Sequence, residues 1–145
     1  MTSHTQIVMA PHVNGQHRLF GGQLMAWIDV TAAVEARRHA GCQVTTVSVD
    51  HLVFLKPVQL DEILRLDARV TWTGISSMEV RVDSYVETAR GDQLVNRAYL
   101  VFVALDDQGN PQTAPAYVPR TEAEKREWQD AESRRKLRVA GRPGR

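Results

Sequence analysis

Asp29 is the only charged residue between Leu19 and Val34, inside the stretch GQHRLFGGQLMAWIDVTAAV that spans residues 15–34. A carboxylate can serve as a general base or as a nucleophile, and apolar surroundings raise its pKa by disfavouring the charged form. The plain alternative is a helix-interior acid that meets an arginine or a backbone donor and serves only structure, and spacing alone does not choose between the two. Gly21 and Gly22 precede the acid. They read either as a close helix-to-strand contact or as space left for something else to approach the backbone.

Other chemistries are poorly supplied. Cys42 is the only cysteine, so there is neither a disulfide framework nor a CxxC metal pattern, and a buried spectator thiol is expected rather than a nucleophile. His4, His12, His17, His39 and His51 have no metal-ligand spacing. Asp50 and His51 are successive strand residues whose side chains point to opposite faces, so both read as structural. No metal and no redox cofactor is expected.

A reactive acid needs elements that hold it. QLMAWIDVTAAVEARRHA lacks Gly and Pro and turns basic at its end, which predicts one long helix from Gly21 to about Ala40, stopped by Gly41. The period then changes to two. In EILRLDARVTW, Leu64, Leu66, Ala68, Val70 and Trp72 fall on one face; in SMEVRVDSYVE, Met78, Val80, Val82, Ser84 and Val86 do so, with Glu79, Arg81, Asp83, Tyr85 and Glu87 outward. The two predict an antiparallel pair joined at Gly74, while QVTTVSVDHLVFL and LVNRAYLVFVAL predict more central strands, the latter after a turn at Gly91-Asp92. The order is a short N-terminal strand, one apolar helix and about four mostly antiparallel strands. A helix with so little charge must be covered all round, which a curled antiparallel sheet achieves; pairing of protomers would finish the core.

The bulk numbers set limits. At 145 residues the chain fits one domain, residues 1–119, followed by a tail, 120–145, after the proline-bearing TAPAYVP. The net charge of +1 is uneven: from Arg120 onward nine Lys/Arg face five Asp/Glu, against nine and twelve before it. TEAEKREWQDAESRRKLR predicts an amphipathic helix with Thr121 and Glu124 as a capping box and Trp128 packed on the sheet or on a neighbouring protomer. Its last basic residues, Arg134, Arg135, Lys136, Arg138, Arg142 and Arg145, read as a solvated charge run or as an attraction for nucleotide phosphates. Nucleic-acid binding is not expected, since no aromatics interleave the basic residues. No apolar run reaches the roughly 20 residues of a membrane span. With no secretory signal pattern at the N-terminus, a cytoplasmic protein is expected.

VNGQHRLFGGQLMAWID, TVSVDHLVFLKPVQLDEIL, GISSMEVRV and RAYLVFVALDDQGNP, in that order, resemble the hotdog-fold acyl-CoA thioesterases. The likeness is to their cytosolic acyl-CoA hydrolase group, which includes the bacterial YciA type and the mammalian brain enzyme. It runs over roughly residues 5 to 135. It implies an α+β hotdog fold, a curved antiparallel sheet wrapped around one long central helix, with an extra C-terminal helix. It also implies hydrolysis of acyl-CoA to free fatty acid and CoA, with no cofactor beyond the CoA of the substrate.

Carried over by residue, Asn14 matches the family asparagine, Phe20-Gly21-Gly22 the turn at the helix start, and Asp29 the helical acid. The Gly21 N–H is then the oxyanion donor, with Gly22 allowing the tight approach. Asn14 orients water or the thioester, and Asp29 acts as base or as nucleophile. Ser76 and Ser77 match a turn of the active-site wall or pantetheine region, and Lys56 a basic position that meets CoA phosphate. His17 stands where the family often has glycine. Gly21 and Asp29 are eight residues apart, roughly 12 Å of helix rise. That is too far for one carbonyl, so Asp29 is expected to serve the glycine turn of a partner in a hotdog dimer, with a trimer of dimers as the family expectation. A non-catalytic acyl-CoA sensor and a hydroxyacyl-thioester dehydratase remain alternatives, although the latter would pair its acid with a histidine.

Overall fold

The computed structural model describes residues 1–143, except for the side chain of His51. Five strands, β1 (Thr2–Ile7), β2 (Gln43–Phe54), β3 (Ile63–Thr73), β4 (Ser77–Thr88) and β5 (Gly91–Leu105), form one antiparallel sheet in the order β1-β3-β4-β5-β2. Helix α1 (Gly21–Ala40) lies on one face of it and α2 (Glu122–Ala140) on the other. The helix bounds match the sequence reading. Gly41 closes α1 in the left-handed region, at φ 70°, its N–H donating to the Arg37 carbonyl.

The core forms between α1 and the sheet. Leu24, Ile28, Ala32 and Ala36, each four residues from the next, face Leu64, Leu66, Ala68, Val70, Val80, Val82, Leu100 and Phe102. Alanine in the helix and at Ala68, Ala98 and Ala104 in the sheet lets the helix sit close. Alternation along β4 is as read: Met78, Val80, Val82, Ser84 and Val86 are buried on the α1 side.

Trp72 departs from the alternation. Its expected partners were Leu64 to Val70, but an extra residue enters β3 between the pairs Val70↔Val80 and Trp72↔Glu79. Such a bulge turns the following side chain to the other face. Trp72 therefore lies against α2, its Nε1 donating to Glu132 at 2.7 Å and its ring under the Arg135 guanidinium.

The outward face of β4 is not solvated, because α2 covers it with ion pairs. Glu79, fully buried, receives both Nε and Nη2 of Arg134 at 2.9 and 2.8 Å and the Thr71 hydroxyl at 2.6 Å. Arg81 bridges Asp83 and Glu127, and Asp83 also receives Arg97. Thus charge fastens α2, and Trp128 is only half-buried. At its start, Thr121 Oγ1 accepts the Glu124 N–H at 3.1 Å, while the Glu124 carboxylate accepts the N–H of Arg120 rather than that of Thr121.

Removing one member of a buried pair strands the other, a loss of about 3–5 kcal/mol. Arg134→Ala is expected to lose stability of that order in urea unfolding, whereas the double variant Glu79→Met, Arg134→Met loses much less. A single variant as stable as the parent would show that α2 is held by something else. Tyr99 sits beneath Arg134, and burial together with the Glu127 carboxylate pushes its phenol up from the ordinary 10 to about 12. The folded chain holds that proton more tightly than the unfolded chain, so its contribution is intact below pH 10 and is lost as pH rises through about 12. Tyr99→Phe is expected to flatten the fall in stability over that window.

Candidate active site

Residues 14–19 form a tight loop before α1. Its backbone closes through Asn14 N–H to the Arg18 carbonyl at 2.9 Å, and the neighbouring segment clamps it through Leu19 N–H to Val58 O and Leu60 N–H to His17 O. His17, the residue found where the family often has glycine, adopts φ 58°. That is the left-handed region glycine enters freely and other residues enter at a cost of roughly 1–2 kcal/mol.

Asn14 Oδ1 accepts the backbone N–H groups of Gln16 at 2.9 Å and Arg18 at 3.3 Å. Since only the carbonyl end of a carboxamide accepts, this contact fixes the amide orientation and leaves the Nδ2 donor facing outward. Asn14 lines a cleft of about 410 Å³ with Arg18, Gly21, Leu24, Phe54 and Lys56.

The cleft floor is the start of α1. Its first N–H groups have no partner within the helix, and among the described residues no acceptor meets those of Gly21 or Gly22, whereas Gln23 and Leu24 donate to the Phe20 carbonyl. A Cβ at Gly21 would touch only the Phe54 ring, at 3.5 Å, so no helix-to-strand contact explains the glycine. At Gly22 a Cβ would come within 2.7 Å of the Phe20 ring, which is itself largely exposed. Gly21 leaves a backbone donor and a positive helix end open to the cleft.

Asp29 lies elsewhere. It is half-buried, away from the cleft lining, and Oδ1 accepts the Thr46 hydroxyl at 2.7 Å. Thr46 was missed in the sequence. The signal available was a β-branched polar residue in phase with Val44, whose side chain packs on the core; β2 has a register shift between Thr46 and Ser48 that ends this phase. Lys56 lines the cleft together with Arg18. Ser76 sits in the β3–β4 connection, its carbonyl bonded to Ala104 N–H, and Ser77 Oγ meets Arg135 on the α2 side.

One chain thus holds two separate halves: Asn14, Gly21 and Lys56 at the helix start, and Asp29 with Thr46 further along. Beside them, Met25 and Val30 leave an apolar side of α1 open, Val30 being 64% exposed. Val47, Val49, Val53 and Phe54 are exposed on β2, a strand at the edge of the sheet. An edge strand with free backbone groups and apolar side chains invites a partner. Among the described residues no cluster of His, Cys, Asp and Glu is placed to hold a metal ion, and no helix is long and apolar enough to cross a membrane.

The Asn14 contacts carry a prediction about the loop. Asn14→Ala removes the acceptor for two amides and is expected to speed hydrogen exchange at Gln16 and Arg18 about tenfold, the equivalent of one hydrogen bond of ~1.4 kcal/mol. Asn14→Asp retains the acceptor and keeps the parent rate. Equal exchange in all three proteins would mean that Asn14 does not set the loop.

Residues 16–91 match the thioesterase superfamily. A protein of Bacillus subtilis named as an uncharacterized acyl-CoA thioester hydrolase, YkhA, is 41% identical over 122 residues, covering 83% of this chain and 71% of that protein. An acyl-CoA hydrolase from Staphylococcus aureus, solved with butyryl-CoA, CoA and CoA disulfide, is 40% identical with a TM-score of 0.90, covering 95% of this chain and 85% of that one. It has also been solved with an aspartate, an asparagine or a threonine replaced by alanine; the asparagine lies 15 residues before the aspartate and the threonine 17 after it. A hexameric thioesterase from Yersinia pestis is 31% identical, with a TM-score of 0.75 over 80% of this chain and 96% of that one. Sheet, wrapped helix and relatives agree, and the chain belongs to the thioesterase superfamily, in its hotdog fold.

Proposed function

We propose that the protein hydrolyses acyl-CoA to a free acid and CoA at a site shared by two protomers. The observation that carries this reading is the division of the site along α1. Open N–H donors and the Asn14 amide lie at one end, and a hydroxyl-bound carboxylate lies eight residues on, beside an uncovered apolar face. The intervals of 15 and 17 residues between the positions replaced in the S. aureus hydrolase are those separating Asn14, Asp29 and Thr46, which supports assigning the three to one site.

In this reading the thioester carbonyl lies over the start of α1. Attack on it places negative charge on its oxygen, which the Gly21 N–H and the helix end stabilise, with Asn14 Nδ2 as a further donor. Asp29 of the facing protomer takes the proton from the attacking water, and the Thr46 hydroxyl holds Oδ1 so that the second oxygen is left to act. Collapse of the tetrahedral intermediate breaks the C–S bond, and the proton follows to the departing CoA thiolate. Direct attack by Asp29, giving a mixed anhydride that water then opens, uses the same contacts. Lys56 and Arg18 at the cleft mouth offer positive charge to the CoA phosphates. The exposed β2 edge and α1 face support a hotdog dimer, and the hexameric relative supports three such dimers. A cytoplasmic setting fits the free thiol of Cys42.

Purified protein given a panel of acyl-CoA esters and a thiol reagent is expected to release CoA, and Asp29→Ala to lower kcat by about 10²–10⁴, the range for a positioned acid or base. Wild-type turnover no faster than that of the variant, at every chain length, would defeat the reading. Mixing Asn14→Ala with Asp29→Ala protomers should restore part of the activity, since one of the two sites in a mixed dimer is intact. Absence of rescue after verified subunit exchange would place both residues in one protomer's site.

A further inference from the structure

On the α2 side of the sheet, away from Asp29, Val47, Ser48, Ser77, Val101, Val103, Arg135, Arg138 and Arg142 enclose a second cavity of about 230 Å³. Strand register explains how the two faces differ. Thr46 pairs with Phe102, a core residue, whereas Ser48 pairs with Val101, because Val47 is an extra residue between them. Thr46 therefore reaches α1 while Ser48 lines the cavity beneath α2.

The charges in this cavity do not balance. Arg138 is paired with Asp50 at 3.0 Å, but among the described residues neither Arg135 nor Arg142 meets a carboxylate. Arg135 Nη1 donates to Ser77 Oγ at 3.3 Å, and Glu132, one turn earlier, is occupied by the Trp72 indole. The hydroxyl of Ser48 is shielded from solvent and has no hydrogen-bond partner, a condition that costs free energy unless a ligand or water relieves it. Two guanidinium groups that meet no described carboxylate, one of them over the Trp72 ring, a third held in place by Asp50, and two hydroxyls on an apolar floor are the donor set of an oxyanion site. The volume falls below the roughly 300–1,000 Å³ of pockets that enclose a drug-sized ligand, so it suits an anionic group rather than a whole nucleotide.

We infer that the cavity formed by Arg135, Arg142, Ser48 and Ser77 binds a phosphate or diphosphate group. The group has two sources, the nucleotide end of CoA, in which case the inference rests on the thioesterase reading, or a free phosphate-bearing molecule acting on the enzyme from outside the cleft. The chemistry recognised is the same.

Titration calorimetry of the intact oligomer with inorganic pyrophosphate tests the site. Saturable binding of one pyrophosphate per chain is expected, about tenfold weaker in Arg142→Ala and about a hundredfold weaker in the double variant Arg135→Gln, Arg142→Ala. Arg142 is exposed and pairs with no described carboxylate, so its loss leaves the fold intact. Arg90→Ala, an exposed arginine on the turn between β4 and β5 and away from both cavities, is expected to bind as the parent does. Binding that is absent from the parent, or unchanged in the double variant, would overturn the proposal.

Kinetics then separate the sources. A KM raised for an acyl-CoA but not for the matching acyl-pantetheine assigns the anion to CoA, while an unchanged KM alongside lost pyrophosphate binding assigns it to a free phosphate. If no acyl-CoA is hydrolysed but pyrophosphate binding still depends on the two arginines, the site stands and the thioesterase reading fails.

Discussion

A five-stranded sheet curled against one helix buries only the side of the helix that faces it. In this chain the buried side is the row from Leu24 through Ile28 and Ala32 to Ala36, and among the described residues the sheet has no further strand with which to cover Met25 and Val30. Most of the functional arrangement depends on that shortage. Among the described residues the uncovered side of α1 carries no salt-bridged surface chain, and it adjoins the free edge of β2 and its exposed valines. A fold that completed its own core would have no reason to leave Asp29 and a helix start with open N–H donors on the same helix but out of each other's reach.

The second constraint is parity. A strand alternates faces, and one inserted residue reverses the assignment of everything after it. Two insertions matter. The one at Thr71 moves Trp72 from the core to the underside of α2, where its indole meets Glu132. The one at Val47 sends Thr46 to Asp29 and Ser48 to the arginines. Both faces of the sheet carry polar groups with specific partners, and a single extra backbone residue in β2 allots them.

Much of this was legible beforehand. The bounds of α1, the alternation of β3 as far as Val70 and of β4 throughout, and the antiparallel order follow from period, glycine placement and charge at the helix end, which are local signals. Asn14, Gly21 and Asp29 were assigned by resemblance; the sequence itself offered only an acid without company. What escaped was non-local. Nothing in the run TTVSV indicates which residue is supernumerary, so Thr46 went unnoticed. Charges at Glu79, Arg81 and Asp83 read only as an outward face because the sequence does not show that a helix 50 residues later returns to cover them with Arg134 and Glu127. Ser77, read by resemblance as part of the active-site wall or pantetheine region, has its hydroxyl facing Arg135 on the α2 side of the sheet.

The Asn14 loop has a consequence for how this scaffold can change. Its shape rests on one side-chain oxygen, on backbone contacts at Arg18 and on the clamp from Val58 and Leu60, none of which depends on the side chains between. Gly15 has open space where a side chain would stand, and Gln16 and His17 are exposed. Bulk and charge at Gly15 and Gln16 can drift beside the mouth of the cleft without disturbing the donor that Asn14 presents, whereas the left-handed backbone of His17 restricts what can stand there. Ligand preference and donor geometry are encoded by different atoms of the same short loop, so the first is free to diverge while the second is held.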